Sequence, residues 1–159
     1  MYQFERFHQD QFLVTHSQTN YREWLPAESE ADAIRQVCEL NQPEYLAQLA
    51  ARRYEVETGG IDINGLHVET DRQAQAQMNS AYGTLQAGFV ETTDWKGVNG
   101  WQEVTLDTIA PLASAVAKHV ARCFTAERRA DEALRDITTV EELERFDIAA
   151  KFDEILDTL

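Results

Sequence analysis

The residues able to do chemistry are few and scattered. The four histidines, His8, His16, His67 and His119, fall in no HxxxH or HExxH pattern, so no metal-ligating set is read from them. Cys38 and Cys123 stand at apolar helical positions with no partner at metal-ligand spacing. Two buried free thiols in a reducing cytosol is the simplest account of them. No GxSxG or SxxK pattern is present, and no Cys has an obvious His partner. Gly59-Gly60 lacks the Lys and Ser/Thr that complete a phosphate loop. One arrangement remains: Asp62 and His67 flank Asn64-Gly65, and a tight turn there would set a carboxylate beside an imidazole. Such a pair can raise the imidazole pKa and work as an acid–base dyad. An exposed cross-strand ion pair has the same signature and is far commoner. No nucleophile, second acid or substrate-cradling loop accompanies it. The sequence therefore predicts no catalytic residue, metal or cofactor, and no enzyme.

The hairpin carrying that pair is the clearest local signal. Asn-Gly supplies the two positive φ angles of a type I′ turn. Counting outward pairs Ile63 with Leu66 and Ile61 with Val68 on one face, and Asp62 with His67 on the other. A second hairpin is expected over Thr93–Thr105, with its turn at Asn99-Gly100. Trp95 and Val104 then share one face, and Lys96, Val98, Trp101 and Glu103 the other. That places one Trp where water or a partner would be, although packing under a neighbouring loop is the more frequent outcome.

Helices must hold these hairpins. The longest unbroken helical pattern runs from Leu106 to Ile137. Ile109, Ala113, Val116, Val120, Cys123, Ala130, Leu134 and Ile137 follow alternating four- and three-residue steps, with Glu127 in the one charged step. This seam reads as the core-facing side of a central helix; the sharper alternative is that it joins copies of the chain. Lys118, His119 and Arg122 interrupt any membrane-spanning reading. Upstream, Ser29 with Asp32 starts one helix, a break is expected at Asn41-Gln42, and Pro43 opens a second helix that ends at Gly59-Gly60. Thr70 or Asp71 caps another, along which Ala74, Met78, Ala81, Tyr82, Leu85 and Phe89 recur at helical spacing. Thr139-Val-Glu-Glu142 caps a final helical segment. The expected fold class is α+β, mainly helical, with two short Asn-Gly β-hairpins packed against a long central helix.

The first 28 residues are aromatic: Tyr2, Phe4, Phe7, Phe12, Tyr21 and Trp24. Tyr2 and Phe4 alternate with polar residues, Phe12 to Thr15 could form a short strand, and the rest reads as loop. Aromatics in a terminal arm are costly to leave in water, so the arm docks on its own domain or on a partner subunit. The candidate partner-binding residues are these six and Trp101.

Net charge is −14, from 28 acids and 14 bases. Such a chain repels nucleic acid and anionic membranes. The 43% hydrophobic content excludes global disorder. The start, Met1-Tyr2-Gln3-Phe4-Glu5, has no basic cluster or apolar run, so no secretory leader is expected.

The run RRYEVETGGIDINGLHVETDRQAQAQMNSAY, followed by TDWKGVNGWQEVTLDTIAPLASAVAKHVARCFTAERRADEALRDITTVEEL, resembles a family of uncharacterised domains from tail and tail-fibre-region proteins of tailed bacteriophages. The features that carry the likeness are the Gly-Gly before the first hairpin, Thr70-Asp71-Arg72 opening a helix, and Trp95 with the Asn-Gly-Trp turn. A long Ala/Val helix with His119, Cys123 and Phe124, then a Thr-rich cap, completes it. The likeness covers about residues 43–156, and implies a virion or virion-assembly role without an activity. It gives a division into a docking segment, 1–42, and a helix-hairpin-helix-hairpin-helix domain, 43–159. The expected function is a structural or adaptor protein of the tail, at the baseplate, tail tip or fibre, made in the host cytoplasm and carried in the virion. Its partners are other tail or fibre subunits, in multiple copies or as a homo-oligomer, with no nucleic acid and no membrane insertion. A tail-fibre assembly chaperone is the alternative. An acidic DNA mimic is less favoured, because the acids are dispersed among arginines.

Overall fold

The computed structural model describes residues 1–97 and 100–159. The elements run β1 (Tyr2–His8), β2 (Gln11–His16), β3 (Arg22–Pro26), α1 (Glu30–Thr58), β4 (Ile61–Ile63), β5 (Leu66–Val68) and α2 (Arg72–Gln86). They continue with β6 (Thr93–Gly97), β7 (Gly100–Val104), α3 (Leu106–Arg135), α4 (Val140–Arg145) and α5 (Ile148–Asp157). The fold is α+β and mainly helical, with both hairpins and the long helix α3. Two compact units are formed: Met1–Arg52 with Ala126–Leu159, and Arg53–Thr125.

In the first unit, β1, β2 and β3 form an antiparallel sheet in that order. The loop expected after residue 15 is in fact a turn and a third strand. Leu25 of β3 pairs with Phe12, and Trp24 with Leu13. The inner face of the sheet, Phe12 and Val14 with Tyr2, Phe4, Phe7 and Leu25 at its margin, closes on Ala33 and Val37 of α1. A bulge lies between Phe4 and Arg6. A second cluster gathers Cys38, Leu134 and Leu143, edged by Tyr45, Leu46, Ile137 and Phe146.

Helix α1 is one helix where the sequence suggested two, with Pro43 inside it. A proline there removes one ladder bond and costs about 3 kcal/mol. Burial of Val37 and Cys38 before it and Leu49 after it outweighs that cost. Asn41, expected at a break, is buried and bonded three ways. Its Nδ2 donates to Val37 O at 3.0 Å and to Tyr2 O at 2.8 Å, and its Oδ1 accepts from Tyr2 N at 2.6 Å. Ser29 starts the helix as expected, its Oγ accepting from Asp32 N at 3.1 Å. The final segment is also divided. Thr139 caps α4, Phe146 is extended, and Asp147 caps α5, its Oδ1 accepting from Ala150 N at 2.9 Å.

The second unit is built on the expected core. Val68, Met78, Leu85, Val104, Ile109, Ala113 and Val116 are buried together, with Ile61, Ile63, Tyr82 and Trp95 packed on them. The first hairpin has the register counted from its turn: Ile61 with Val68, Asp62 with His67, Ile63 with Leu66. Asn64 at φ 53° and Gly65 at φ 81° supply the left-handed turn. In the second hairpin Gly97 pairs with Gly100, Lys96 with Trp101 and Trp95 with Gln102. A turn centred on Asn99-Gly100 would pair Lys96 with Glu103, so the register is displaced. The faces survive because the shift is even: Trp95 and Val104 share one, Lys96, Trp101 and Glu103 the other. The expectations for Val98 and Asn99 lie outside the described residues.

Asp71 is the N-cap of α2, its Oδ1 accepting from Ala74 N at 2.8 Å. The helix closes in a Schellman turn. Gly88 at φ 68° donates to Leu85 O at 3.1 Å, and Phe89 N to Thr84 O at 3.2 Å. The apolar residue after such a turn usually packs back on the last helical turns. Here the preceding turn offers Thr84 and Gly83, so Phe89, expected on the apolar stripe of α2, lies beyond the helix and is 80% exposed.

The seam of α3 is core. Ile109, Ala113, Val116, Cys123, Ala130 and Leu134 are all buried within the chain, so these side chains are not available to a second copy. No helix among the described residues is long and apolar enough to cross a membrane.

Candidate functional site

The N-terminal aromatics divide by strand register. In β2, Phe12 points into the core and has no exposure, which corrects its assignment as a docking residue. Tyr2, Phe4 and Phe7 are half-buried at the margin of the same core. Tyr21 and Trp24 remain exposed, at 53% and 41%. The outer face of the sheet explains Trp24. Arg6, Leu13 and Trp24 are cross-strand neighbours, and the Arg6 guanidinium lies 5.4 Å from the indole centre. Leu13 beneath them is buried. Beside this row Glu5 accepts from Thr15 and is paired with Arg22, and those bonds hold its carboxyl below the usual range. Tyr21 donates its hydroxyl to Glu23 Oε2 at 3.1 Å, which raises the phenol's pKa.

Trp101 is 71% exposed on the outer face of β6–β7, with Lys96 Nζ 5.6 Å from its ring centre. On the inner face Trp95 borders a cavity of about 80 Å³ that Met78, Val104, Ile109, Leu112 and His67 also line. Small-molecule sites usually occupy about 300–1,000 Å³, so this one holds little more than a small apolar group.

The Asp62–His67 pair forms. His67 Nδ1 lies 3.0 Å from Asp62 Oδ1, and both side chains are more than half exposed. The arrangement is an exposed cross-strand side-chain pair, as counting outward from the turn placed it. The imidazole also lies over Gly60, where a β-carbon would fall 2.5 Å from His67 Cε1. At the remaining sulfur, Cys123 Sγ lies 3.8 Å from His119 Nε2, which is itself 3.1 Å from Val56 O. Burial pushes the Cys123 thiol up, and the Cys38 thiol likewise, so both stay protonated at neutral pH. Among the described residues no group of three His, Cys, Asp or Glu could hold a metal ion.

The most developed polar site among the described residues has no signature in the sequence. Glu57, at the last turn of α1, has no solvent exposure. Its Oε1 is 2.8 Å from Arg72 Nη1 and accepts from Gln75 Nε2 at 3.1 Å; its Oε2 is paired with Arg53. The Arg53 guanidinium lies 4.5 Å from the Phe124 ring centre, and Arg72 lies 5.8 Å from that of Tyr54. Thr70 completes the junction. Its hydroxyl donates to Glu57 O at 2.6 Å and accepts from Gly60 N at 2.9 Å. Within the second unit a buried carboxylate with two arginines ties the last turn of α1 to the first hairpin and α2. With its hydrogen-bonding capacity filled from within, the cluster is an architectural junction.

No curated protein and no solved structure matches the chain. Residues 41–150, most of the chain and all of the region holding the Glu57 junction, match the family model described as Domain of unknown function (DUF4376). The chain belongs to that family.

Proposed function

We propose that the protein is a non-enzymatic structural or adaptor component of a bacteriophage tail, attached to neighbouring tail subunits in several copies. The reading rests on the likeness of residues 43–156 to domains of phage tail and tail-fibre-region proteins. The observation that carries it further is the placing of the exposed aromatics. Trp24 stands on strand β3 and Tyr21 just before it, on a sheet that lies outside the family-matched residues, 41–150. A shared domain with its own attachment sheet suits an adaptor. Trp101, on the second hairpin, is a further anchor for a partner or for a surface glycan. The acids are interleaved with arginines, as in Arg128–Glu132 and Arg135–Asp131, which disfavours the DNA mimic.

The test is copy number in purified phage particles, by quantitative mass spectrometry against the major tail protein. A fixed multiple of three supports a virion component. Absence from the particle replaces this reading with that of an assembly chaperone. Deleting residues 1–28 is a poor probe of attachment, because Phe12, Val14 and Ala27 belong to the core of their unit. Tyr21→Ser and Trp24→Ser together are the suitable change, and unimpaired incorporation of that variant overturns the docking role of these two residues.

A further inference from the structure

We infer that the outer edge of β3 is a self-association strand, pairing antiparallel with β3 of a second copy about a twofold axis.

Hydrogen-bond parity sets the edge. His16 N donates to Tyr21 O and Ala27 N to Asp10 O, so residues 21, 23, 25 and 27 turn their backbone groups toward β2. Arg22, Trp24 and Pro26 therefore turn theirs away from the sheet. Pro26 has no N–H, and its carbonyl accepts from Gln36 Nε2 at 3.1 Å. Arg22 and Trp24 are left presenting donor and acceptor in the outward direction. The opposite edge is closed: the Asn41 side chain takes both backbone groups of Tyr2, as a neighbouring strand would, and the bulge between Phe4 and Arg6 follows.

Two copies of Arg22-Glu23-Trp24 complement each other. With Glu23 on the axis, Arg22 faces Trp24 of the second copy and exchanges two hydrogen bonds with it, and the symmetric pair exchanges two more. Each indole, already carrying Arg6, gains a second guanidinium neighbour. Tyr21 falls opposite Leu25 of the second copy. Glu23 faces its own image in a close, non-hydrogen-bonded pair, and that like-charge contact holds the association weak. A two-residue edge makes a small interface, so the dimer is transient and favoured where copies are held near one another.

This rests on the docking role given above to the N-terminal sheet and is independent of the tail assignment. It is measured on the purified full-length chain, whereas that assignment is measured on virions, so either can fail alone. Sedimentation equilibrium across a concentration series should show a weak monomer–dimer equilibrium. Glu23→Gln should lower Kd roughly two- to fivefold. Arg22→Pro, which removes an outward N–H and leaves the β2–β3 ladder its bonds, should abolish association. Hydrogen exchange of the wild-type protein gives a reading without substitution: the Arg22 and Trp24 amides should slow as concentration rises, while that of Glu23 does not. A monomer at every concentration in both wild type and Glu23→Gln overturns the proposal. So does association that survives Arg22→Pro, or exchange at Arg22 and Trp24 that ignores concentration.

Discussion

Arg72 reaches back from the first residue of α2 to Glu57 near the end of α1, Nη1 to Oε1 at 2.8 Å, across the whole first hairpin. The carboxylate it meets is out of solvent, and Arg53 holds the other oxygen. Breaking a buried pair by removing one member leaves charge without compensation. Glu57→Ala should therefore cost about 3–5 kcal/mol in urea unfolding. Arg72→Ala should cost about 1 kcal/mol, because that guanidinium is half exposed and its loss leaves Arg53 and Gln75 in place. Equal costs would show that the junction does not work through the buried carboxylate.

Gly60 and His67 compete for one space. Gly60→Ala meets both the φ of 87° and the imidazole, and should destabilise by about 1–3 kcal/mol. In a His67→Ala background the clash with the ring vanishes, leaving the backbone strain and a 3.3 Å approach to Val68 O. A double-mutant cycle should return a coupling of about 0.5 kcal/mol or more. Additive costs would mean that the ring moves aside freely.

Gly83 lies within α2, where an added β-carbon meets nothing within 4 Å. Its flexibility serves no turn there. Gly83→Ala should raise stability by about 0.5–1 kcal/mol, read as a higher thermal midpoint by circular dichroism. A lower midpoint would mean that something needs that open surface.

Asp32 at the start of α1 carries a depressed pKa, chiefly from the Arg35 hydrogen bond, then from Glu28 N–H and Gln36. A group depressed on folding stabilises above its unfolded pKa, and that contribution is lost as pH falls through the folded value. The Asp32 carboxyl should titrate below the usual aspartate range by carbon-13 NMR. Asp32→Asn should flatten the acid limb of the stability curve. An unchanged acid limb would count against a linked role for this carboxylate.

Legibility in the sequence followed the strength of local chemistry. Asn64-Gly65 permits one turn, and the turn dictates every pair in its hairpin. The α3 seam was visible because its apolar steps persist over eight turns. In the second hairpin glycines at both 97 and 100 allow two placements of the turn, and side-chain pattern cannot separate them, since both give the same faces. The break expected at Asn41-Gln42-Pro43 followed local propensity, which packing on both sides overrides. Strand β3 was missed because Arg22-Glu23-Trp24-Leu25-Pro26 lacks alternation of apolar residues; its pairing partner, Phe12–Val14, decides it. Glu57 gave no signal at all. One acid among 28 is marked only by the arginines and the threonine that the fold brings to it.

The Schellman turn ending α2 has a practical consequence. Phe89, aromatic and outside the helix, follows a glycine in an exposed connection to β6. A chymotrypsin-like protease should nick the chain after it, giving fragments 1–89 and 90–159. The fragments would stay together under native conditions, because Met78 and Leu85 from one and Val104, Ile109 and Val116 from the other share a core. Such a cut offers a natural seam for split-protein reassembly.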